Sequence, residues 1–361
     1  MPSHGHPCRI LAVGEAQSVE DITGMAQRLF GHIGDEPVYE ITIRSKAGAE
    51  AAILNWGAVI RDFVVPLRAD KQRVVLGLER LEDYIKHSPH LGAVAGRYAN
   101  RIRDGRFSID DQSYQLEKNF LGKHNLHGGA SGFGQRLWQV SAWDHSSVTL
   151  TLVSSDGDGG YPGTLTTTLT YRFIDEATLR TEIAAMTDRA TIINLALHSY
   201  FNLDGSDDIL DHQLQIESDF ITALDPELIP TGEIRNVADT PYDFRALRPI
   251  WYQGADGGLF HYDQNYMLRE PAGHLRRAAI AKSGRNGLAL EVWTTEPAIQ
   301  FYDAKNLNVP VPGLGMKRLN ARAGFCLEPQ RPPDSPNRAH FPDPVLRPGQ
   351  VYRQITEYRF K

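Results

Sequence analysis

The sequence predicts an all-β protein, a large antiparallel sandwich or barrel formed as one unit. Three observations predict it. Short segments alternate apolar and polar residues with the period of a strand. Compact polar turns separate those segments, and long helical periods are nearly absent.

In chain order, Val38 to Arg44 reads Val-Tyr-Glu-Ile-Thr-Ile-Arg, a β-rich alternation. Ala51 to Trp56 and Ala58 to Val65 follow, with Gly57 between them. Further strands are expected at Trp138 to Trp143, Val148 to Val153, Leu165 to Phe173 and Leu179 to Met186, with another from Thr191. Asp144-His145-Ser146-Ser147 and Asp175-Glu176-Ala177 are the turns between them. Later, Ala278 to Lys282 and Leu288 to Thr294 flank Ser283-Gly284-Arg285-Asn286-Gly287, and Gln350 to Phe360 alternates again. Leu78 to Tyr84 is the one candidate for a short helix. His198 falls inside a long apolar run read as a strand. Residues 1–26 show no period and are set apart as an unassigned N-terminal extension. No Pro/Gly/Ser linker and no fixed repeat divides the rest, so 27–361 reads as one domain.

Composition bounds the function. The chain has 361 residues, 38 basic and 44 acidic, for a formal charge of −6. That excludes the basic footprint of a nucleic-acid binder. No apolar run is long enough to span a membrane, and no signal peptide is visible. Cys8 and Cys326 form no disulfide framework and no metal spacing, which points to a reducing, cytoplasmic setting. The oligomeric state is open.

Chemistry concentrates in a few clusters. Gly96-Arg97-Tyr98-Ala99-Asn100-Arg101-Ile102 places a fixed cation with a donor fork beside an amide. In Asn125-Leu126-His127-Gly128-Gly129, two glycines after a histidine allow backbone or ligand to approach closely. His198 lies in Asn194-Leu195-Ala196-Leu197-His198-Ser199-Tyr200-Phe201, and imidazole donates and accepts protons near neutrality. Glu328 follows Phe325-Cys326-Leu327, a run that would be buried, so its pKa should rise and make it a candidate general base. The prolines after it, from Pro329 to Pro336, would stiffen the following loop. Asp263 sits between aromatic residues in His261-Tyr262-Asp263-Gln264-Asn265-Tyr266, a setting that suits the C–H faces and hydroxyl rim of a sugar. Taken singly, each of these also fits a structural residue.

Together and in this order, the clusters resemble the aldose 1-epimerases, also called galactose mutarotases. Asn55-Trp56-Gly57-Ala58 and Val74-Val75-Leu76-Gly77-Leu78 belong to the same resemblance, which runs from about Gln27 to the C-terminus. It implies a large β-sandwich of the galactose-mutarotase type with no cofactor; no metal is expected either, because His127 and His198 are far apart in sequence and no short-spaced His or Cys ligand set accompanies them. It implies interconversion of the α and β anomers of a free aldose such as glucose or galactose. Glu328 matches the family's catalytic base and His198 its acid. Arg101, His127 and Asp263 match residues that hold the sugar, and Asn100 lines the same pocket. Two departures bear on sugar preference: Leu197, where many relatives carry a polar residue, and Gln264, where many carry a histidine.

Three other readings stay open on sequence alone. A glycosidase would use Glu328 and Asp263 as its two carboxylates, leaving His198 unexplained. A non-catalytic sugar-binding module would use the same pocket without an acid facing a base. An epimerase for a hexose 6-phosphate would need cations near the site, and Lys317, Arg318, Arg322, Arg331 and Arg338 flank Glu328.

Overall fold

The computed structural model describes residues 19–20, 26–68 and 70–361. Most of the expected 1–26 extension, and Cys8 with it, lies outside the described residues. Of its described residues, Val19–Glu20 pairs with the start of the strand Ala26–Ile33, and Ala26 already belongs to that strand.

Three large antiparallel sheets build the protein. The first is a six-stranded meander running from Val19–Glu20 through Ala26–Ile33, Glu36–Arg44, Glu50–Leu54 and Ile60–Pro66 to Lys71–Arg73. The second has nine strands, in the order Gln139–Trp143, Ser147–Ser154, Leu165–Phe173, Thr178–Thr187, Tyr352–Phe360, Ala289–Thr294, Arg276–Lys282, Gln213–Ile216 and Arg248–Pro249. Its first four strands are consecutive hairpins, whereas Tyr352–Phe360 enters from far along the chain. The third has six strands, in the order Tyr200–Phe201, Phe325–Gln330, Ala298–Tyr302, Asp263–Leu268, Ser218–Leu224 and Pro230–Asn236.

The local chemistry explains the hairpins. Leu165, Leu169, Tyr171 and Phe173 take the inward positions of their strand, since successive side chains point to opposite faces. Asp175 Oδ1 accepts the N–H groups of Ala177 (3.0 Å) and Thr178 (2.7 Å), which closes the next turn. Asp144 Oδ1 does the same for Ser146 and Ser147. Gly287, at φ +77°, takes the left-handed position before Leu288.

One continuous apolar core joins all three sheets. Phe63 of the first sheet meets Phe173 and Phe360 of the second edge-on, with ring centres 5.8 and 4.9 Å apart. Phe201 of the third sheet lies 5.1 Å from Tyr358 of the second.

Two sequence expectations need correction. The short helix is Leu81–His87, not Leu78 to Tyr84. Leu78 is extended: its carbonyl accepts Arg61 Nε and its N–H donates to the Tyr84 hydroxyl. His198 is not inside a long strand. The run breaks into two short ladders, Ala196–Leu197 with Val94–Ala95 and Tyr200–Phe201 with Phe325–Gln330. The break leaves His198, still buried, in the lining of a cleft. Among the described residues, no helix is long and apolar enough to cross a membrane.

Because Phe63 bridges two sheets, Phe63→Ala is expected to cost about 3–5 kcal/mol. Urea denaturation should show it as a lower midpoint with an unchanged slope.

Candidate active site

The third sheet supplies one wall of the site. All six residues of Phe325–Gln330 are buried, because both faces of that strand are covered. Phe325 and Leu327 enter the core, while Cys326 and Glu328 point to the opposite face. Gln300 lies directly across from Glu328, and Asp263 directly across from Tyr302. The pleat therefore gathers Glu328, Gln300, Tyr302 and Asp263 on one face.

The facing wall comes from loops and short ladders. Arg101–Ile102 pairs with Asn125–Leu126, which brings Asn100 and Arg101 beside His127. The His127 N–H donates to the Asn100 carbonyl, and the Asn100 N–H donates to His127 Nδ1, both at 3.1 Å. With Nδ1 accepting, the neutral ring carries its proton on Nε2. Asn100 and His127 both adopt positive φ, +65° and +53°. Gly128, at φ +86°, is a close-approach glycine: a Cβ there would sit 2.0 Å from the Gly96 carbonyl oxygen. His198 is clamped through its backbone, its N–H donating to the Ala93 carbonyl and its carbonyl accepting the Gly92 N–H.

The two walls enclose a cleft of about 210 Å³, lined by every sequence-predicted site residue: Asn100, Arg101, His127, His198, Asp263 and Glu328. Within it, His198 Nε2 stands 3.8 Å from Glu328 Oε1. Glu328 is 2% exposed and His198 6%. Arg101 Nη2 donates to Asp263 Oδ2 (2.9 Å), and Gln300 Nε2 donates to Asp263 Oδ1 (2.6 Å). Both oxygens of Asp263 are thus engaged. The Arg101 guanidinium also lies over the Phe120 ring, 4.9 Å from its centre. Four enclosed polar atoms of the cleft lining, Glu328 Oε2, Gln300 Oε1, Arg101 Nε and His90 Nδ1, have no partner within the described residues.

The sequence profile of the aldose 1-epimerase family matches residues 39–359. The chain belongs to the aldose 1-epimerase family. It is 38% identical to the galactose mutarotase of Bos taurus over 311 residues, 85% of this chain and 90% of that one. It is 35% identical to the aldose 1-epimerase of Escherichia coli K12 over 333 residues, 90% of this chain and 96% of that one. Its fold superposes on an aldose epimerase homologue from C. elegans with a TM-score of 0.84 and 32% identity, covering 89% and 98% of the two chains. The sandwich is thus of the galactose-mutarotase type, and the protein is a carbohydrate isomerase whose substrate is a small sugar.

Burial sets the electrostatics of the cleft. It pushes the Glu328 carboxyl well above the carboxylate range, with Asp263 adding to the shift and Arg101 opposing it. It lowers the His198 imidazole to about 3, with His90 acting in the same direction. His127 is also held well below the ordinary value, by burial and then by His90 and His198. Burial thus favours a protonated, neutral Glu328 carboxyl beside a neutral His198 imidazole. Cys326 Sγ lies 3.6 Å from His198 Nδ1. Burial keeps that thiol protonated, and its sulfur can accept Nδ1–H, which leaves Nε2 free to exchange a proton beside Glu328.

The expected absence of a metal rested on spacing along the chain. Folding nevertheless brings one ligand atom each from His198, Cys326 and Glu328 within 4.8 Å of one another. No sequence spacing announces that cluster.

Sequence reasoning missed His90, Gln300, Tyr200 and Tyr302, all of which line the cleft. Gln300 did leave a signal, a lone amide in the apolar run Ala298-Ile299-Gln300-Phe301. The two departures do not line the cleft. Leu197 is a core residue, and Gln264 is turned to the opposite face of the sheet, where its amide donates to the Thr222 carbonyl.

Gly128→Ala is expected to lose at least about 1–2 kcal/mol from backbone conformation alone. The clash with the Gly96 carbonyl adds to this and displaces His127. A lowered urea midpoint together with weakened sugar binding would register both effects.

Proposed function

We propose that Glu328 and His198 interconvert the anomers of a free aldose by acid–base ring opening and closure. Mutarotation removes a proton from the C1 hydroxyl and adds one to the ring oxygen. Both oxygens are bonded to C1, so base and acid must stand side by side. The 3.8 Å between Glu328 Oε1 and His198 Nε2 is the observation that carries this reading. It is too long for a direct hydrogen bond and short enough for the two groups to reach the two oxygens of one hemiacetal carbon.

The cycle starts with the pair's single proton on His198. Glu328 takes the C1 proton as His198 Nε2–H protonates the ring oxygen, and the ring opens to the aldehyde. Both protein groups are then neutral, the state that burial favours. Ring opening therefore discharges two desolvated ions at once. Rotation about C1–C2 presents the other carbonyl face, and closure returns both protons. Arg101, His127, Asp263 and Asn100 hold the hydroxyls, with Asp263 fixed by Arg101 and Gln300. No cofactor or metal enters the cycle.

The rival readings fit less well. Asp263 has both oxygens engaged, so it is a poor second carboxylate for a glycosidase. The cleft is smaller than the roughly 300–1,000 Å³ of sites for drug-sized ligands, which suits one monosaccharide. A phosphorylated sugar is disfavoured because Lys317, Arg318, Arg322, Arg331 and Arg338 do not line the cleft. Arg322 and Arg338 pair instead with Asp303 and Asp334. We place the enzyme in the cytoplasm, supported by Cys326 as a free buried thiol.

Glu328→Gln should keep the fold and slow the polarimetric change of α-glucose or α-galactose by at least about 10²-fold. Near-normal turnover in that variant would remove Glu328 as the base. His198→Asn is expected to fall comparably, and a stable, fully active variant would remove the acid. Dialysis against a chelator should leave the rate unchanged; loss that zinc restores would require a metal step.

A further inference from the structure

His90 lines the cleft beside the proposed acid. Its ring stacks on His198 with centres 5.8 Å apart and planes 29° apart, and it lies 4.7 Å from the His127 ring. The turn that carries it is tied down. The Tyr200 hydroxyl donates to the Pro89 carbonyl (3.0 Å), and the Leu91 N–H donates to Ser88 Oγ (2.9 Å). His90 itself sits at φ +63°, a left-handed conformation uncommon for a residue with a side chain.

Buried histidines with structural roles in this protein use their ring nitrogens on the protein. His124 Nδ1 accepts the Asp104 N–H and its Nε2 meets Glu227. His212 Nε2 accepts the Leu203 N–H. His90 differs. Its Nδ1 is enclosed without a partner, on the side of Gly134, where a Cβ would lie 3.6 Å away. Its Nε2, at the far edge of the ring, is not among the enclosed unpaired atoms and has no hydrogen bond to any described residue. Polar groups in such settings are normally satisfied.

We propose that His90 is a further sugar-contacting residue, whose Nε2 forms a hydrogen bond with one hydroxyl of the bound aldose. The inference rests on the reading of this cleft as the aldose site. The Asn100 N–H fixes the tautomer of His127, but nothing in the protein fixes that of His90. Its Nε2 can therefore either donate to a sugar hydroxyl or accept from one.

The test is polarimetry on glucose and its 2-, 3-, 4- and 6-deoxy analogues with wild type, His90→Phe and His90→Gln. The phenylalanine variant should raise KM for glucose about two- to tenfold, as for one neutral hydrogen bond, with a smaller change in kcat. Wild type should discriminate against one deoxy sugar that the phenylalanine variant no longer distinguishes from glucose. Glutamine, which keeps a donor and an acceptor, should restore the discrimination. A deoxy-sugar profile unchanged in His90→Phe, or a fall in kcat with KM unaltered, would overturn the proposal. If phenylalanine prevents folding, His90→Ala carries the same comparison. Failure here leaves the Glu328→Gln outcome intact, whereas an active Glu328→Gln enzyme would strike the underlying site reading instead.

Discussion

Glu328 and His198 face one another across 3.8 Å where little solvent reaches either group, and much of the surrounding structure serves that exclusion. Charge is disfavoured on both residues, so the pair resists the ionised form unless a polar ligand enters. A sugar brings hydroxyls that can satisfy the enclosed atoms the protein leaves unpaired. The walls must therefore be rigid without being self-satisfied. The Arg101–Asp263–Gln300 chain meets that demand by fixing its members to one another while leaving Arg101 Nε and Gln300 Oε1 unspent.

The scaffold explains why a β-sandwich suits this task. A pleated strand delivers alternate side chains to opposite faces. Phe325 and Leu327 thus anchor the strand in the core while Glu328 is presented to the cleft from the same rigid backbone. Gln300 and Asp263 arrive on neighbouring strands in fixed register. His198 comes from irregular chain held by backbone bonds to Gly92 and Ala93. Glu328 is placed by sheet geometry and His198 by a loop, and the two meet through backbone hydrogen bonds.

Legibility in the sequence followed the range of the forces involved. The hairpins of the nine-stranded sheet were readable because alternation and Asp-led turns are local, and Leu165–Phe173 ends where its pattern ends. The strands Ser218–Leu224 and Pro230–Asn236 were not readable. Phe220 and Ile234 are exposed there, so hydrophobic alternation is blurred. The helix was displaced by three residues because Leu78, an apolar residue of apparent helical spacing, is committed to an extended segment by Arg61 and Tyr84. At the site, Asn100, Arg101, His127, His198, Asp263 and Glu328 stood out as polar groups in apolar or glycine-rich settings, and the resemblance joined them. His90 did not stand out, because His87, Ser88 and Pro89 before it look like an ordinary polar turn.

The position of Tyr352–Phe360 carries a consequence for how the molecule assembles. That strand lies between Thr178–Thr187 and Ala289–Thr294, so the widest sheet stays split until residues near 360 are available. Pairings over such sequence separations demand costly loop closure before any contact rewards it, and they slow folding. The edges of both halves remain unpaired meanwhile and open to association with other chains. Glu328 also lies late in the sequence. The chemistry proposed for Glu328 and the closure of the sheet therefore mature together, so that competence at that residue should emerge as one of the last events in folding.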